Sequence, residues 1–83
     1  MSMDVMNNSV NPLLLSAEET ARFIGIGERF LWGMHNTGEL GPLPIKLGKR
    51  TLWSRFELES WVRARCPRRD VWATMKDEQH ATV

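Results

Sequence analysis

The sequence predicts a small, mainly α-helical domain in which three helices accompany one two-stranded β-hairpin. Two helix-start patterns support this prediction, at residues 16–19 (SAEE) and residues 54–57 (SRFE), because each places a glutamate three positions after a capping serine. Two glycines, Gly25 and Gly27, divide the first apolar stretch into two short helices. An alternating apolar segment with a central glycine then predicts the hairpin. The chain of 83 residues is long enough for one such domain.

The first helix is predicted to begin after Ser16, whose hydroxyl would accept a hydrogen bond from the backbone N–H of Glu19. The residues before it, 1–12, are polar and lack apolar periodicity, so they are expected to form a flexible lead. The helix itself carries an apolar stripe that should face the core, formed by Ala17, Ala21, Ile24 and the neighbouring Phe23.

The second helix is predicted over residues 28–37, and Gly38 should end it in the left-handed conformation. Two short helices joined by a glycine turn form a helix-turn-helix unit, which presents its second helix to DNA. Helical spacing divides the residues of this helix between two faces. The face expected in the core consists of Phe30, Leu31 and Met34, and the face expected to meet DNA consists of Arg29, Trp32, Gly33 and Asn36.

On the DNA-directed face, Arg29 is expected to donate to a guanine edge or a phosphate, and Asn36 to pair with adenine or a backbone oxygen. A different interpretation stays open at this point, because a polar helix face is often only solvated. Trp32 could then pack under the hairpin instead of meeting DNA.

The hairpin spans residues 43–56 and contains four basic side chains and no acidic one. Its first strand is predicted around Ile45 and its return around Trp53, with a glycine-first turn at Gly48. Such a cationic hairpin is suited to contacting phosphates, and the contacts are expected from Lys46, Lys49, Arg50 and Arg55. For Lys46 and Arg55, solvation or pairing with Glu57 or Glu59 is the alternative.

The third helix is predicted to start after Ser54, with Trp53 and Leu58 as a hydrophobic staple, and to stop before Pro67. Its core face should consist of Leu58, Trp61 and Val62. The tail, residues 68–83, is predicted to form one or two amphipathic turns that are dispensable for folding of the domain at residues 13–67. Its candidate contacts to a neighbouring subunit or a partner protein are Val71, Trp72 and Met75.

Composition argues against several other classes of protein. Cys66 is the single cysteine, so no internal disulfide is possible, and it is expected to be a half-buried structural thiol. His35 and His80 lie far apart in the sequence, and no metal-ligand spacing, catalytic relay or phosphate-binding glycine loop is present. We therefore expect no catalysis, cofactor, metal or small-molecule ligand. No segment has the length of a membrane span, and a cytoplasmic location is expected.

Two segments, LLLSAEETARFIGIGERFLW and GELGPLPIKLGKRTLWSRFELESWV, resemble the excisionase/AlpA-type small winged-helix proteins, which are relatives of the MerR DNA-binding domain. The resemblance covers residues 13–65. It implies a winged helix-turn-helix with the second helix in the major groove and the hairpin as a wing (residues 43–56) against the adjacent minor groove or backbone. Glu28 and Gly33 depart from the group, which often carries Arg or Lys there.

Two functions follow from this resemblance. The first is that of an excisionase, a recombination directionality factor that binds repeated sites, bends DNA and directs a tyrosine or serine integrase toward excision. The second is that of an AlpA-type transcription regulator at a promoter. Both imply double-stranded DNA as partner and a bacterial or phage nucleoid setting, and the first implies cooperative self-association on DNA.

Overall fold

The computed structural model describes residues 12–81, with side chains described as far as Asp77. The lead predicted over residues 1–12 therefore lies outside the described residues, apart from Pro12. In chain order the elements are β1 (Leu14–Leu15), α1 (Ala17–Ile24), α2 (Glu28–Thr37), β2 (Ile45–Leu47), β3 (Arg50–Ser54), α3 (Arg55–Arg63) and α4 (Arg69–Ala81). No helix of this described part is long and apolar enough to cross a membrane.

The described sheet has three antiparallel strands in the order β1-β3-β2. The predicted hairpin is present, with Ile45 opposite Leu52 and Lys46 opposite Thr51. The prediction of only two strands is wrong, because the leucine pair before α1 forms a third strand at the edge of the sheet. In this strand Leu15 lies opposite Trp53. The hairpin is thereby attached to the start of the helical domain.

The first helix begins at the predicted capping residues. The Glu19 N–H donates to Ser16 Oγ over 3.2 Å, and the Ser16 N–H donates to Glu19 Oε1 over 2.9 Å, which completes the capping box. Gly25 ends α1 with φ +86°, and Gly38 ends α2 with φ +84°. Glycine adopts this left-handed backbone without the steric cost of a Cβ, so the turn between the helices is determined locally.

The third helix is capped differently from the prediction. The Glu57 N–H donates to Ser54 Oγ over 3.2 Å, which is the first half of a capping box. The Glu57 carboxylate does not return to the cap, because Oε2 accepts from Trp72 Nε1 at 2.9 Å and from Lys76 Nζ at 2.7 Å. The second predicted capping box is therefore only half present, and its glutamate instead fastens α4 to α3.

The tail forms a fourth helix of 13 residues, where the sequence predicted three helices and one or two further turns. Trp72 explains the difference, because its side chain is only 2% exposed and belongs to the same core as Leu31, Trp53 and Trp61. An indole in the core stabilises a helix that would be marginal alone. We therefore expect that removal of the tail would destabilise the fold, contrary to the expectation from the sequence.

Gly41 lies where the two indoles of α3 and α4 approach the connection that follows α2. A Cβ built on Gly41 would lie 2.5 Å from Trp61 Nε1 and 3.0 Å from the Trp72 Cβ, which is closer than packed atoms allow. The φ of Gly41 is not in the positive range, so its backbone conformation does not require glycine. Glycine is required because a side chain here would collide with the two tryptophans. The tryptophan N–H of Trp61 is satisfied by Pro67 O at 2.8 Å.

Several residues assigned to the core by periodicity lie on the surface. The core contains Ala17, Ala21, Leu31, Leu58 and Trp61 as predicted. The corrected positions, all exposed, are Phe23, Phe30 and Val62, and Cys66, which was expected to be a half-buried thiol, is exposed as well. Periodicity identifies the face of a helix that is apolar, but it does not show whether another element covers that face. These residues border a groove discussed below.

Candidate nucleic-acid interface

The predicted recognition face of α2 divides into an exposed part and a packed part. Arg29, Gly33 and Asn36 are exposed along one side of the helix. Trp32 is half-buried and its indole N–H donates to Glu28 Oε2 at 3.3 Å, one turn earlier on the same helix. The exposed side therefore offers one cation and one carboxamide to a ligand, and Arg29 is its only Lys or Arg side chain.

An aromatic cluster joins α2 to the wing. The Trp32 ring centroid lies 5.6 Å from that of Trp53 on β3, in an edge-to-face arrangement. His35 completes the cluster, at 5.7 Å from Trp32 and 5.9 Å from Trp53. Edge-to-face pairs of this kind contribute about 0.5 to 1.5 kcal/mol beyond burial alone. The packing of Trp32 under the hairpin, left open by the sequence, is thus observed, and it couples the helix to the wing.

The wing carries its cations at and near the turn. Gly48 has φ +60°, as a glycine-first hairpin turn requires, and Lys49 and Arg50 follow it with exposed side chains. Lys46 is also exposed and its ammonium donates to Thr51 Oγ1 over 3.0 Å across the two strands. Three cations therefore face solvent on a two-stranded support, where a polyanion could reach them.

Arg55 differs from the other basic residues of the wing. Its side chain is 20% exposed, and Nη1 lies 3.4 Å from Glu59 Oε2. Nε donates to Pro12 O at 3.0 Å, and the guanidinium lies 4.8 Å from the centroid of the Phe56 ring. These contacts attach the start of β1 to α3. They favour the alternative interpretation of Arg55, in which it is paired with Glu59 instead of being presented to a ligand.

Arg69, at the start of α4, holds the end of α2. Its Nη2 donates to the backbone oxygens of His35 at 3.0 Å and Leu40 at 3.1 Å, and its backbone N–H donates to Gly38 O at 2.9 Å. Nη2 also lies 3.1 Å from His35 Nδ1. Nη2 carries two protons and has the two carbonyls as its acceptors, so its approach to Nδ1 is a shared contact that favours the tautomer with the imidazole proton on Nε2. No pattern in the sequence indicates this contact, which joins residues 34 positions apart.

The pKa of His35 is lowered from its ordinary value by burial and, secondarily, by the Arg69 guanidinium. A lowered pKa in the folded state means that folding favours the neutral imidazole. This contribution to stability is fully present above the unfolded pKa of about 6.5 and is lost as the pH falls through the lower folded value. Protonation would also turn the acceptor facing Arg69 into a donor.

We therefore expect a His35→Gln variant to be less stable than the natural chain. The difference in the free energy of unfolding should be largest at about pH 7.5 and smaller at about pH 5.5. The measurement is urea unfolding of both proteins at each pH, followed by tryptophan fluorescence. The two proteins differ only at residue 35, so the comparison isolates His35. A stability difference that stays constant or grows toward low pH would show that His35 is not held neutral by this packing.

Comparison with protein families matched residues 14–66 to the family described as "Helix-turn-helix domain". The chain belongs to this helix-turn-helix domain family. It is accordingly a small helix-turn-helix DNA-binding protein. Comparison with curated proteins gave no match, and comparison with solved structures gave none either.

The helix-turn-helix match ends before α4, whose residues the sequence assigned to partner contacts. Val71 is exposed, Met75 is half-buried and Trp72 is buried in the core. The indole of Trp72 is therefore not presented to a partner, which corrects its expected role. Val71 remains the accessible apolar residue of that set.

Proposed function

We propose that the chain is an architectural DNA-binding protein of the excisionase type, which places α2 in the major groove and the wing against the adjacent backbone. The observation that carries this proposal is the coupling of α2 to the wing through Trp32 and Trp53. A helix and a cationic hairpin held as one body can contact two neighbouring parts of a duplex with little loss of conformational freedom.

The distribution of charge favours an architectural role. The exposed side of α2 offers Arg29 as its single cation, whereas the wing offers Lys46, Lys49 and Arg50. Phosphate contacts position a protein on DNA, and base contacts specify the sequence. A protein with few base-directed groups reads DNA mainly through its shape and deformability. Binding at repeated sites and bending of the duplex between them are consistent with such readout.

The proposed partners are double-stranded DNA, further copies of the chain on neighbouring sites, and a tyrosine or serine integrase. The test is an excision reaction in vitro with the integrase encoded nearest to this gene and its attachment-site DNA. Addition of the protein should increase excision, and circular-permutation gel shifts should show bent DNA. If DNA is bound without any effect on excision, the second function, an AlpA-type promoter regulator, takes its place.

Replacing the two polar groups of α2 should change sequence preference. Arg29→Ala and Asn36→Ala are each expected to cost about 1 to 3 kcal/mol of discrimination at the base pair contacted, if that contact is bidentate. The measurement is selection of preferred sites from a randomised duplex pool. Arg63→Ala, an exposed arginine on α3, is the control and should leave the preferred site unchanged. Identical site preferences in all four proteins would mean that α2 does not read bases.

A further inference from the structure

An apolar groove runs between the end of α1, the first turns of α2 and the outer side of α3. Its larger part has a volume of about 580 Å³, and its floor includes Ile24, Ile26, Phe30, Met34 and Val62. A smaller part of about 330 Å³ lies between Phe23 and Arg63. The two parts are adjacent, because Ile24 and Val62 line both, and together they are here called the α1–α3 groove.

The floor of this groove is exposed without a cover among the described residues. Phe23 and Phe30 are exposed aromatic side chains, and Val62 is 45% exposed. These are the residues that helical periodicity assigned to the core. Large apolar side chains gathered in one concave surface are typical of a site that another molecule covers.

Two arginines and two glutamates line the groove, and one of the glutamates, Glu59, is already paired with Arg55, so the charge left over at the rim is positive on balance. Arg63 and Arg68 line it, and Arg65 lies exposed between them in the sequence. In the described part of the chain, none of these three arginines forms an ion pair. The acids at the rim are Glu59, which is paired with Arg55, and Glu39, which accepts from Thr37 Oγ1 at 3.1 Å. A ligand with acidic flanks would therefore be complementary to this rim.

The groove is separate from the proposed DNA surface. With about 100° of rotation per residue, Met34 lies about 100° to 160° around the α2 axis from Arg29, Gly33 and Asn36, and Phe30 lies about 60° to 120° from them. The helix can therefore contact DNA with one side and line the groove with another. This arrangement leaves the groove accessible on a DNA-bound protein.

The α4 helix of a second copy is a poorer occupant than an amphipathic helix of a different protein. The described part of α4 offers an acidic outer side, with Asp70 and Asp77 exposed, but its exposed apolar side chains there are only Val71 and Ala73. These side chains are too small to fill a groove bordered by phenylalanines. Amphipathic helices that bind grooves use larger anchors at helical spacing.

We propose that the α1–α3 groove binds an acidic amphipathic helix of a partner protein. The apolar side of that helix would cover Phe30 and Val62, and its carboxylates would lie against Arg63 and Arg68. The partner can be engaged while α2 is on DNA. Only the statement that the groove can be occupied while α2 is on DNA rests on the proposed function.

The test uses a fluorescent helical peptide of about 14 residues with leucines at i, i+3, i+4 and i+7 and glutamates at the flanking positions. Its twin carries lysine in place of every glutamate. Fluorescence anisotropy at about 50 mM salt should show binding of the acidic peptide at least about tenfold tighter than that of the basic peptide. The double variant Arg63→Glu/Arg68→Glu should reverse this preference.

A matched pair of variants tests the location. Val62→Glu should weaken binding of the acidic peptide at least about tenfold, whereas Val71→Glu, at a position 48% exposed on α4, should not. Circular dichroism checks that both variants are folded, and both positions are surface sites. Addition of a DNA duplex should leave peptide affinity unchanged, and this arm alone depends on DNA binding, so its failure is distinguishable from that of the others.

Three results would overturn the proposal. The first is equal affinity for the acidic and basic peptides, and the second is full binding by Val62→Glu. The third is concentration-dependent dimerisation of the natural chain in sedimentation experiments that Val62→Glu abolishes, because the groove would then be occupied by a second copy.

Discussion

Replacing Trp72 with alanine should lower the free energy of unfolding by about 3 to 5 kcal/mol, the range typical of a buried tryptophan. The side chain is almost fully buried beside Trp61 and above Gly41, and its N–H donates to Glu57. Its removal would leave a cavity between α4 and the rest of the core and would leave a carboxylate oxygen with one donor fewer. The measurement is urea unfolding followed by circular dichroism.

Val71→Ala is the matched control for that substitution, because it removes an exposed apolar side chain from the neighbouring position of the same helix. It should change stability by no more than about 0.5 kcal/mol. A domain has about 5 to 15 kcal/mol of stability in total, so at the lower end of this range the Trp72 variant would retain little or none of it. A loss below about 1 kcal/mol for Trp72→Ala would mean that α4 is not part of the core.

The double variant Lys49→Ala/Arg50→Ala should weaken DNA binding roughly 100-fold at low salt, since each lost charge-assisted contact is worth about 1.5 kcal/mol or more. The loss should be similar for all DNA sequences, because phosphate contacts carry no sequence information. The slope of log affinity against log salt should decrease in magnitude by about 2, one unit for each lost contact. Fluorescence anisotropy with a labelled duplex across a salt series measures both quantities.

The control for the wing is Arg63→Ala/Arg68→Ala, which removes the same charge from the α1–α3 groove. If general electrostatic attraction were responsible for binding, both double variants would lose affinity equally. If the wing contacts the backbone, only Lys49→Ala/Arg50→Ala should change the salt slope. An unchanged slope for the wing variant would exclude these residues from the interface.

The parts of the fold that sequence predicted are those determined within a few residues. The capping box at Ser16, the left-handed ends at Gly25 and Gly38, and the turn at Gly48 are set by local backbone chemistry. For the same reason α1, α2 and the hairpin appear where they were predicted. Their signals do not depend on what packs against them.

The errors concern contacts between distant residues. The periodicity of Phe30 and Val62 marked apolar helix faces correctly, yet no described element covers those faces. The capping pattern at Glu57 was correct for the N–H but not for the carboxylate, which is taken by Trp72 and Lys76 from α4. A local sequence pattern contains no information about partners that lie far away in the chain, so the length of the fourth helix was underestimated.

In the candidate interface too, local features were predicted and contacts between distant residues were not. The basic composition of the wing and the exposed side of α2 were visible in the sequence. The Trp32–Trp53 contact that couples them was left as an alternative, and the clamp of Arg69 on His35 was missed. A tryptophan on an otherwise polar helix face was the available signal for the first contact. No comparable signal existed for the second, because Arg69 lies among three basic and three acidic residues of the tail.

The central claim, that α2 and the wing together form the DNA-binding surface, is tested most directly by NMR. A ¹⁵N-labelled sample is titrated with a short duplex at low and at high salt. Changes in the chemical shifts of the backbone amides are recorded along the chain. We expect the largest changes at Arg29, Gly33 and Asn36 and at the turn around Lys49, with the wing shifts more strongly reduced by salt. Shifts confined to α4 or to the α1–α3 groove, with α2 and the wing unaffected, would contradict the claim.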